Sequence, residues 1–211
     1  MTANAVLLDI EGTTTSISFV FDVLFPFAAE AIPGFLAASS ARPDVRAARE
    51  SILADANDAE RALPATDGAV AVVRRQMAAD IKATGLKMLQ GLVWQHGYES
   101  GRIKGHVYAD VPERFAAWRA AARPLAIYSS GSRLAQQLIF RHSVAGDLTA
   151  GISGYYDTTS GPKREAASYA TIAKAWGREP ATITFCTDQP AEADAARAAG
   201  MTAVIIMRPL S

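Results

Sequence analysis

Two carboxylates follow directly on an apolar stretch near the start of the chain. Residues 6–8 are apolar, and Asp9 and Glu11 flank Ile10 before a Gly12-Thr13 turn. On an extended backbone both carboxylates would point to the same side. At about 4 Å and an effective dielectric of about 20 they would repel each other by about 4 kcal/mol. A bound divalent cation or a raised pKa would relieve that repulsion, so the pattern predicts an acidic, metal-assisted site at the end of a strand.

A third carboxylate, Asp188, repeats this arrangement, because it follows the strand-like segment 182–187 and precedes a helical pattern. Ligands of open α/β sheets bind beyond the carboxyl ends of the strands, so we expect Asp188 to lie near Asp9. Together with the backbone carbonyl of Glu11, these residues would form an oxygen-only site that suits Mg²⁺. No cluster of His or Cys in the sequence suggests zinc.

Two further segments could hold a phosphate. Ser129 and Ser130 lie where a predicted strand runs into a hydroxyl-rich turn and a helix, whose N–H groups can bind an anion. Helix capping by Ser130 or Ser132 is the alternative. Lys163 follows Pro162, which we expect at the first position of a helix, and its ammonium could neutralise a phosphate. A solvated surface lysine is the alternative for Lys163.

The other reactive residue types favour structural roles. Glu192 and Asp194 lie further along the helix after Asp188 and are better explained as acidic residues near a helix N-terminus. The lone Cys186 is predicted to be a buried core thiol, although its place next to Asp188 leaves a role at the site open. The three histidines are scattered and are expected in structural or surface positions: His96, His106 and His142.

Helices and strands alternate from residue 111 onward, and these elements must position the groups described above. The predicted helices cover 111–122, 132–142, 163–176 and 191–199, and the predicted strands cover 124–129, 182–187 and 202–207. This alternation predicts an α/β fold with a doubly wound parallel sheet, which the strand near the N-terminus joins.

The chain between the first strand and this pattern reads as helical, with apolar residues at helical spacing over 45–56, 68–83 and 86–94. We therefore predict a core of residues 1–16 and 106–211, and an all-helical cap of residues 17–105 inserted after the first strand. A cap in that position would lie over the strand ends, where it can exclude water and select substrates.

Composition narrows the class of partner. Half of the 211 residues are apolar, and 21 basic residues balance 21 acidic ones, so no global field attracts nucleic acid or an anionic membrane. The N-terminus has no basic region before its first strand, and we find no apolar run long enough to span a bilayer. We expect a cytoplasmic monomer with no nucleic-acid or membrane partner.

The segment Asp9-Ile10-Glu11-Gly12-Thr13-Thr14-Thr15, with the serine, lysine and Asp188 motifs, resembles the haloacid dehalogenase-like hydrolases. Within them, Glu11 in place of a second Asp resembles the enolase-phosphatase (acireductone synthase) family of methionine salvage. Segments 17–26, 91–101, 128–132 and 155–169 also read like that family. Ser16 and Phe21 depart from it, where proline and a His or Lys are usual.

The resemblance implies a Mg²⁺-dependent enzyme acting on a phosphorylated diketone, 2,3-diketo-5-methylthiopentyl 1-phosphate. The substrate would be enolised and then hydrolysed through an aspartyl-phosphate, giving acireductone and phosphate. The implied catalytic residues are Asp9 as nucleophile, Glu11 as acid and base, and Lys163. Substrate binding is implied for Ser129, Ser130 and Lys163, and metal binding for Asp9, Glu11 and Asp188.

Two other functions share parts of this pattern. A hydrolytic dehalogenase has the fold and an aspartate nucleophile but needs no metal, and Glu11 counts against it. A phospho-accepting receiver domain also places carboxylates at strand ends, but the long helical insertion and Glu11 argue against that signalling role.

Overall fold

A five-stranded parallel sheet forms the centre of the fold in the computed structural model, which describes residues 4–208. The strand order is β3-β2-β1-β4-β5. From the central β1 the chain adds β2 and β3 on one side, and then β4 and β5 on the other side. The strands are β1 (Ala5–Leu8), β2 (Leu125–Tyr128), β3 (Ile152–Tyr156), β4 (Ile183–Thr187) and β5 (Thr202–Ile205). This order confirms the predicted doubly wound parallel sheet.

The three central strands, β1, β2 and β4, are almost wholly buried, as expected for apolar strands covered on both faces. Leu8 pairs with Ile127 of β2 and with Cys186 of β4. The residues that follow these three strands therefore lie together at the carboxyl end of the sheet. The α-helices that accompany the sheet in the sequence are α6 (Val111–Ala120), α7 (Arg133–Arg141), α8 (Ala166–Ala175) and α9 (Pro190–Ala198). Cys186 is buried, as predicted.

The prediction missed β3, which lies at the edge of the sheet and pairs with β2. The strand is short and only partly buried, and its sequence includes Ser153 and Gly154, which weaken the strand pattern. Its pairing also shifts register between Leu125 and Ala126. Pairing with β2 rather than local preference therefore makes this segment a strand.

The predicted start of α8 at residue 163 was wrong, because Pro162 and Lys163 lie in a turn and the helix begins at Ala166. Two side chains of α8 hold that turn from within the helix. Ser168 Oγ donates to the carbonyl of Pro162 at 2.7 Å, and the Tyr169 hydroxyl donates to the carbonyl of Lys163 at 2.7 Å. These bonds satisfy carbonyls that would otherwise accept bonds from the helix backbone.

Residues Phe21–Ile103 form a separate compact unit that is entirely helical, in agreement with the predicted helical insertion. A π-helical turn (Phe19–Leu24) precedes α1 (Phe25–Ala38), α2 (Pro43–Ala54), α3 (Asp58–Arg61), α4 (Ala65–Ala78) and α5 (Thr84–Glu99). Its apolar core includes the fully buried side chains of Ile32, Leu36, Ile52 and Leu89. The limits 17–105 for a functional cap stay a prediction.

The expectation that no apolar run could span a bilayer was wrong by the criteria of length and composition. The helical stretch Phe19–Ala38 has 20 residues and a mean hydropathy of 1.6. Core helices of soluble proteins meet the same criteria, and 39% of this stretch is buried inside the structure. Ile32 and Leu36 of this stretch belong to the core of the helical unit, which explains its apolar composition.

Candidate active site

A cleft of about 450 Å³ opens where β1, β2 and β4 end. Five predicted site residues line it: Asp9, Glu11, Ser130, Lys163 and Asp188. The sixth, Ser129, lies at the end of β2 and is buried. The fold therefore brings together residues that are up to 179 positions apart in the chain, from Asp9 to Asp188 (188 − 9).

Asp9 is the most tightly held of these residues, with 2% of its surface exposed. Its Oδ1 accepts a hydrogen bond from the backbone N–H of Ile10 at 2.8 Å and lies 2.6 Å from Lys163 Nζ. Its Oδ2 lies 3.2 Å from the Thr187 hydroxyl. Burial raises the pKa of Asp9 to about 7, and the Lys163 ammonium opposes that rise. The carboxylate is thus fixed in orientation and depends on Lys163 for its charge.

Lys163 is largely buried between two carboxylates, so the alternative of a solvated surface lysine was wrong. Its Nζ lies 2.6 Å from Asp9 Oδ1 and 2.7 Å from Glu192 Oε2, and its side chain is 11% exposed. Burial by itself would lower the pKa of Lys163, but Asp9 and Glu192 outweigh it and raise that pKa. Lys163 therefore stays charged beside the nucleophile candidate.

Glu192 is a residue whose importance sequence reasoning missed. It does lie in the first turn of α9, as predicted, but it is buried and pairs with Lys163. The Thr187 hydroxyl lies 3.0 Å from Glu192 and 3.2 Å from Asp9, and its one proton can go to either carboxylate. No local signal distinguishes Glu192, because an acidic residue in the first turn of a helix is common. Asp194, in contrast, pairs with Arg197 at the surface.

Glu11 lies on a tight loop that closes on itself. The Ile10 carbonyl accepts the N–H groups of Thr13, Thr14 and Thr15, and Gly12 donates to the Thr15 carbonyl at 2.8 Å. Gly12 has φ 72°, a left-handed conformation that glycine adopts without strain. Among the described residues, the Glu11 carboxylate makes one hydrogen bond, from Ser129 Oγ at 3.5 Å. Its oxygens are therefore available to a substrate.

The serine turn after β2 has two parts with different roles. Ser132 caps α7 by accepting the N–H of Ala135, so the capping interpretation applies to Ser132 rather than to Ser130. Ser129 is buried and accepts the N–H of Gly131 at 3.1 Å, whereas Ser130 is exposed and lines the cleft. The turn can therefore present N–H and hydroxyl groups to an anion.

Gln136 supports this turn from beneath, and sequence reasoning did not single it out. Its Nε2 donates to the carbonyls of Gly131 and Tyr156 at 2.8 Å each, and the residue is buried. Its position on α7 gives no local signal, because a glutamine in a helix is most often solvated.

Asp188 has the features of a cation ligand. Its Oδ1 is buried and has no hydrogen-bond partner among the described residues, while Oδ2 accepts from Gln189 Nε2 at 2.8 Å. A Cβ at Gly12 would collide with this carboxylate, so glycine makes room for it. Within residues 4–208 no three His, Cys, Asp or Glu side chains form a metal-binding group. Carboxylate oxygens of this kind are the ligands that hard cations prefer in proteins.

Comparison with known proteins agrees with this geometry. The family model for haloacid dehalogenase-like hydrolases matches residues 3–200. Enolase-phosphatase E1 of Pseudomonas aeruginosa is 49% identical over 208 residues, covering 99% of this chain and 91% of that protein. The chain belongs to the enolase-phosphatase family of the haloacid dehalogenase-like hydrolases. The predicted family, and with it the prediction of an enzyme with enolase-phosphatase function, are confirmed.

Further matches support the same family. Enolase-phosphatase E1 of Synechococcus elongatus is 48% identical, covering 96% of this chain and 88% of that protein. The crystal structure of the UTR4 protein of Saccharomyces cerevisiae superposes with a TM-score of 0.83 at 34% identity, covering 99% of this chain and 91% of that one. A dehalogenase structure has a TM-score of 0.55 at 15% identity, over 99% and 87% of the two chains, and shares the fold.

Proposed function

We propose that this enolase-phosphatase converts 2,3-diketo-5-methylthiopentyl 1-phosphate to acireductone and phosphate through an aspartyl-phosphate on Asp9. The observation that carries this proposal is the buried Asp9 carboxylate, held by Lys163 and Thr187 at a cleft that Glu11 also lines. The 49% identity to an enolase-phosphatase over nearly the whole chain supports the substrate class.

In the first half of hydrolysis, a carboxylate oxygen of Asp9 attacks phosphorus and the bond from phosphorus to the substrate oxygen breaks. Glu11 gives its proton to the leaving oxygen. In the second half, Glu11 takes a proton from water, whose oxygen attacks phosphorus and releases phosphate and the Asp9 carboxylate. The single long hydrogen bond of Glu11 supports this double role, because it leaves the carboxyl group accessible to both the leaving oxygen and water.

Lys163 and the Ser129-Ser130 turn would carry the charge that develops on the phosphoryl oxygens. Lys163 already lies 2.6 Å from Asp9, so the ammonium is in place beside the attacking group. When bound by Asp9, Asp188 and the backbone carbonyl of Glu11, Mg²⁺ would neutralise phosphoryl oxygens and polarise a substrate carbonyl. The unpartnered Oδ1 of Asp188 supports this assignment.

The proposal includes a cytoplasmic enzyme that works as a monomer, without nucleic-acid or membrane partners. The balance of 21 basic and 21 acidic residues supports the absence of such partners.

Proton and phosphorus NMR of the diketo phosphate with this protein tests the proposal. With Mg²⁺ we expect an enol phosphate followed by free phosphate, and with a chelator we expect no free phosphate. Hydrolysis of a simple phosphate monoester without any change in the diketo phosphate would contradict the proposed substrate. No hydrolysis of either compound would contradict the proposed phosphatase chemistry.

A further inference from the structure

Arg208 joins three segments that are far apart in the sequence. Its Nε and Nη2 donate to the carbonyl of Thr13 at 2.9 and 2.7 Å, and its Nη1 donates to Asp110 Oδ1 at 2.6 Å. The guanidinium also lies over the ring of Tyr108, 4.3 Å from the ring centroid. The Arg208 side chain is 20% exposed, and its bonds to Thr13 are partly buried, whereas its pair with Asp110 lies at the surface. None of them belongs to the proposed chemistry.

The Thr13 carbonyl belongs to the loop that carries Glu11. Thr13 donates its N–H to the Ile10 carbonyl, and Gly12 donates to the Thr15 carbonyl. A displacement of Thr13 would therefore move Gly12 and Glu11 with it. Because the Glu11 carboxylate has only one hydrogen bond, at 3.5 Å, its position depends on this backbone rather than on side-chain contacts.

The neighbouring peptide groups of the loop are held by the segment that contains Asp110. The N–H of Tyr108 donates to the carbonyl of Thr14 at 3.0 Å, and His106 Nδ1 accepts the N–H of Ser16 at 3.1 Å. Arg208 extends this support to Thr13, which is closer to Glu11 in the sequence than Thr14 or Ser16. Its planar fork is needed for two parallel bonds to one carbonyl, and a lysine ammonium does not reproduce them.

We propose that Arg208 is a positioning residue for Glu11. By clamping the Thr13 carbonyl, it holds the Glu11 carboxyl where it can protonate the oxygen that leaves phosphorus when Asp9 attacks. This inference rests on the proposed function, in which Glu11 is the general acid. It predicts that a loss of Arg208 harms substrates that need an acid and spares substrates that do not.

An Arg208→Lys variant tests this, because it keeps the charge and loses the fork. We compare kcat/KM for two substrates. An alkyl phosphate has a poor leaving group that needs a proton, whereas p-nitrophenyl phosphate releases p-nitrophenolate without protonation. We expect a loss of about 10- to 100-fold for the alkyl ester and about 2-fold or less for the aryl ester. The control is Arg197→Lys, since Arg197 pairs with Asp194 and bonds a carbonyl on the exposed surface. In this control variant, kcat/KM should be unchanged for both esters.

A second variant separates positioning from a general structural effect. If Arg208 acts through Glu11, the alkyl-ester activity of Glu11→Gln should fall little further when Arg208→Lys is added. Asp110→Asn weakens the ion pair that holds Arg208 and leaves the two bonds from Arg208 to Thr13 in place, so it should give a smaller loss with the same preference for the aryl ester. Equal losses for both esters, or fully additive effects with Glu11→Gln, would overturn the inference. The proposed function itself fails only if the unmodified protein also leaves the diketo phosphate unchanged in the presence of Mg²⁺.

Discussion

The active site has two halves that are built in opposite ways. The inner half consists of Asp9, Lys163, Thr187 and Glu192, which are buried or nearly so and lie 2.6–3.2 Å from one another. The outer half consists of Glu11, Ser130 and Asp188, which line the cleft with few contacts. In it Glu11 makes a 3.5 Å hydrogen bond, and Asp188 Oδ1 makes none among the described residues.

The difference separates groups that are paired within the protein from groups whose atoms are free to contact a ligand. In the inner half, every charge has a partner, so the nucleophile is oriented before substrate arrives. In the outer half, the buried Oδ1 of Asp188 has no partner among the described residues, and an unpaired buried polar atom costs free energy. That cost is consistent with groups that bind substrate, a cation or a proton in turn. We therefore expect substitutions in the two halves to differ in the size and kind of their effects.

The largest effect is expected from Asp9→Asn in the inner half. The amide keeps the acceptor for the Ile10 N–H and the shape of the side chain, but it is not a nucleophile. Turnover should fall by about 10⁴-fold or more, while the protein stays folded. Phosphate release and circular dichroism measure the two properties. Retained turnover in the folded variant would remove Asp9 as the nucleophile.

Lys163→Met should come next, because it leaves Asp9 and Glu192 as buried carboxylates without a cation. We expect turnover to fall by about 10²- to 10³-fold and the free energy of unfolding to fall by about 3 kcal/mol. Steady-state kinetics and urea unfolding measure these changes. Lys174→Met is the control, since Lys174 is exposed on α8 and should change neither. Equal behaviour of the two variants would mean that the inner half does not need its ammonium.

Asp9 of the inner half and Asp188 of the outer half would both hold Mg²⁺, so the next effect is expected in stabilisation by this cation. Burial raises the pKa of Asp9 to about 7 from 3.8, so the metal-free folded state binds more protons than the unfolded state between these values. This contribution to stability is present at low pH and is lost as the pH rises through about 7. Mg²⁺ needs the carboxylate, so it should stabilise the protein little near about pH 5 and clearly near about pH 8.

Thermal unfolding at both pH values checks this. At about 100 times its dissociation constant, Mg²⁺ should add about 2.7 kcal/mol near about pH 8. Asp188→Asn should abolish the gain, whereas Asp194→Asn, a surface carboxylate paired with Arg197, should retain it. A gain that is equal at both pH values, or that survives Asp188→Asn, would contradict the assigned ligands.

The smallest effect is expected from the serine turn. Ser129→Ala removes the acceptor of the Gly131 N–H and the contact to Glu11, and should lower kcat/KM by about 10-fold. Ser132→Ala removes the helix cap instead and should lower the free energy of unfolding by about 1 kcal/mol with little change in kcat/KM. Kinetics and unfolding of both variants separate the two roles. A larger kinetic loss in Ser132→Ala would reverse them.

The sequence predicted those features that local patterns encode. Asp9, Glu11 and Asp188 each follow an apolar run directly, so the strand ends and their carboxylates could be found without the fold. Glu192 could not, because an acidic residue in the first turn of a helix is common for local reasons. The burial of Glu192 against Lys163 is a property of the packed structure alone.

Residues that act over long distances were also missed. Arg208 contacts Thr13 across 195 positions, and no pattern in either segment indicates that contact. The edge strand β3 and the start of α8 were missed for a related reason, since pairing with β2 and the bonds from Ser168 determine them. A tertiary contact overrode local preference in β3, and side-chain bonds to the preceding turn did so at the start of α8.

The most direct test of the inner half as the site of phosphoryl transfer is chemical trapping during turnover. The protein is mixed with substrate and Mg²⁺, quenched, treated with borohydride to reduce any acyl phosphate to an alcohol, and analysed by peptide mass spectrometry. The structure predicts reduction of Asp9 alone, dependent on substrate and absent in Asp9→Asn. Reduction at Glu11 or Asp188, or full turnover without any reduced carboxylate, would contradict the assignment of Asp9 as the nucleophile.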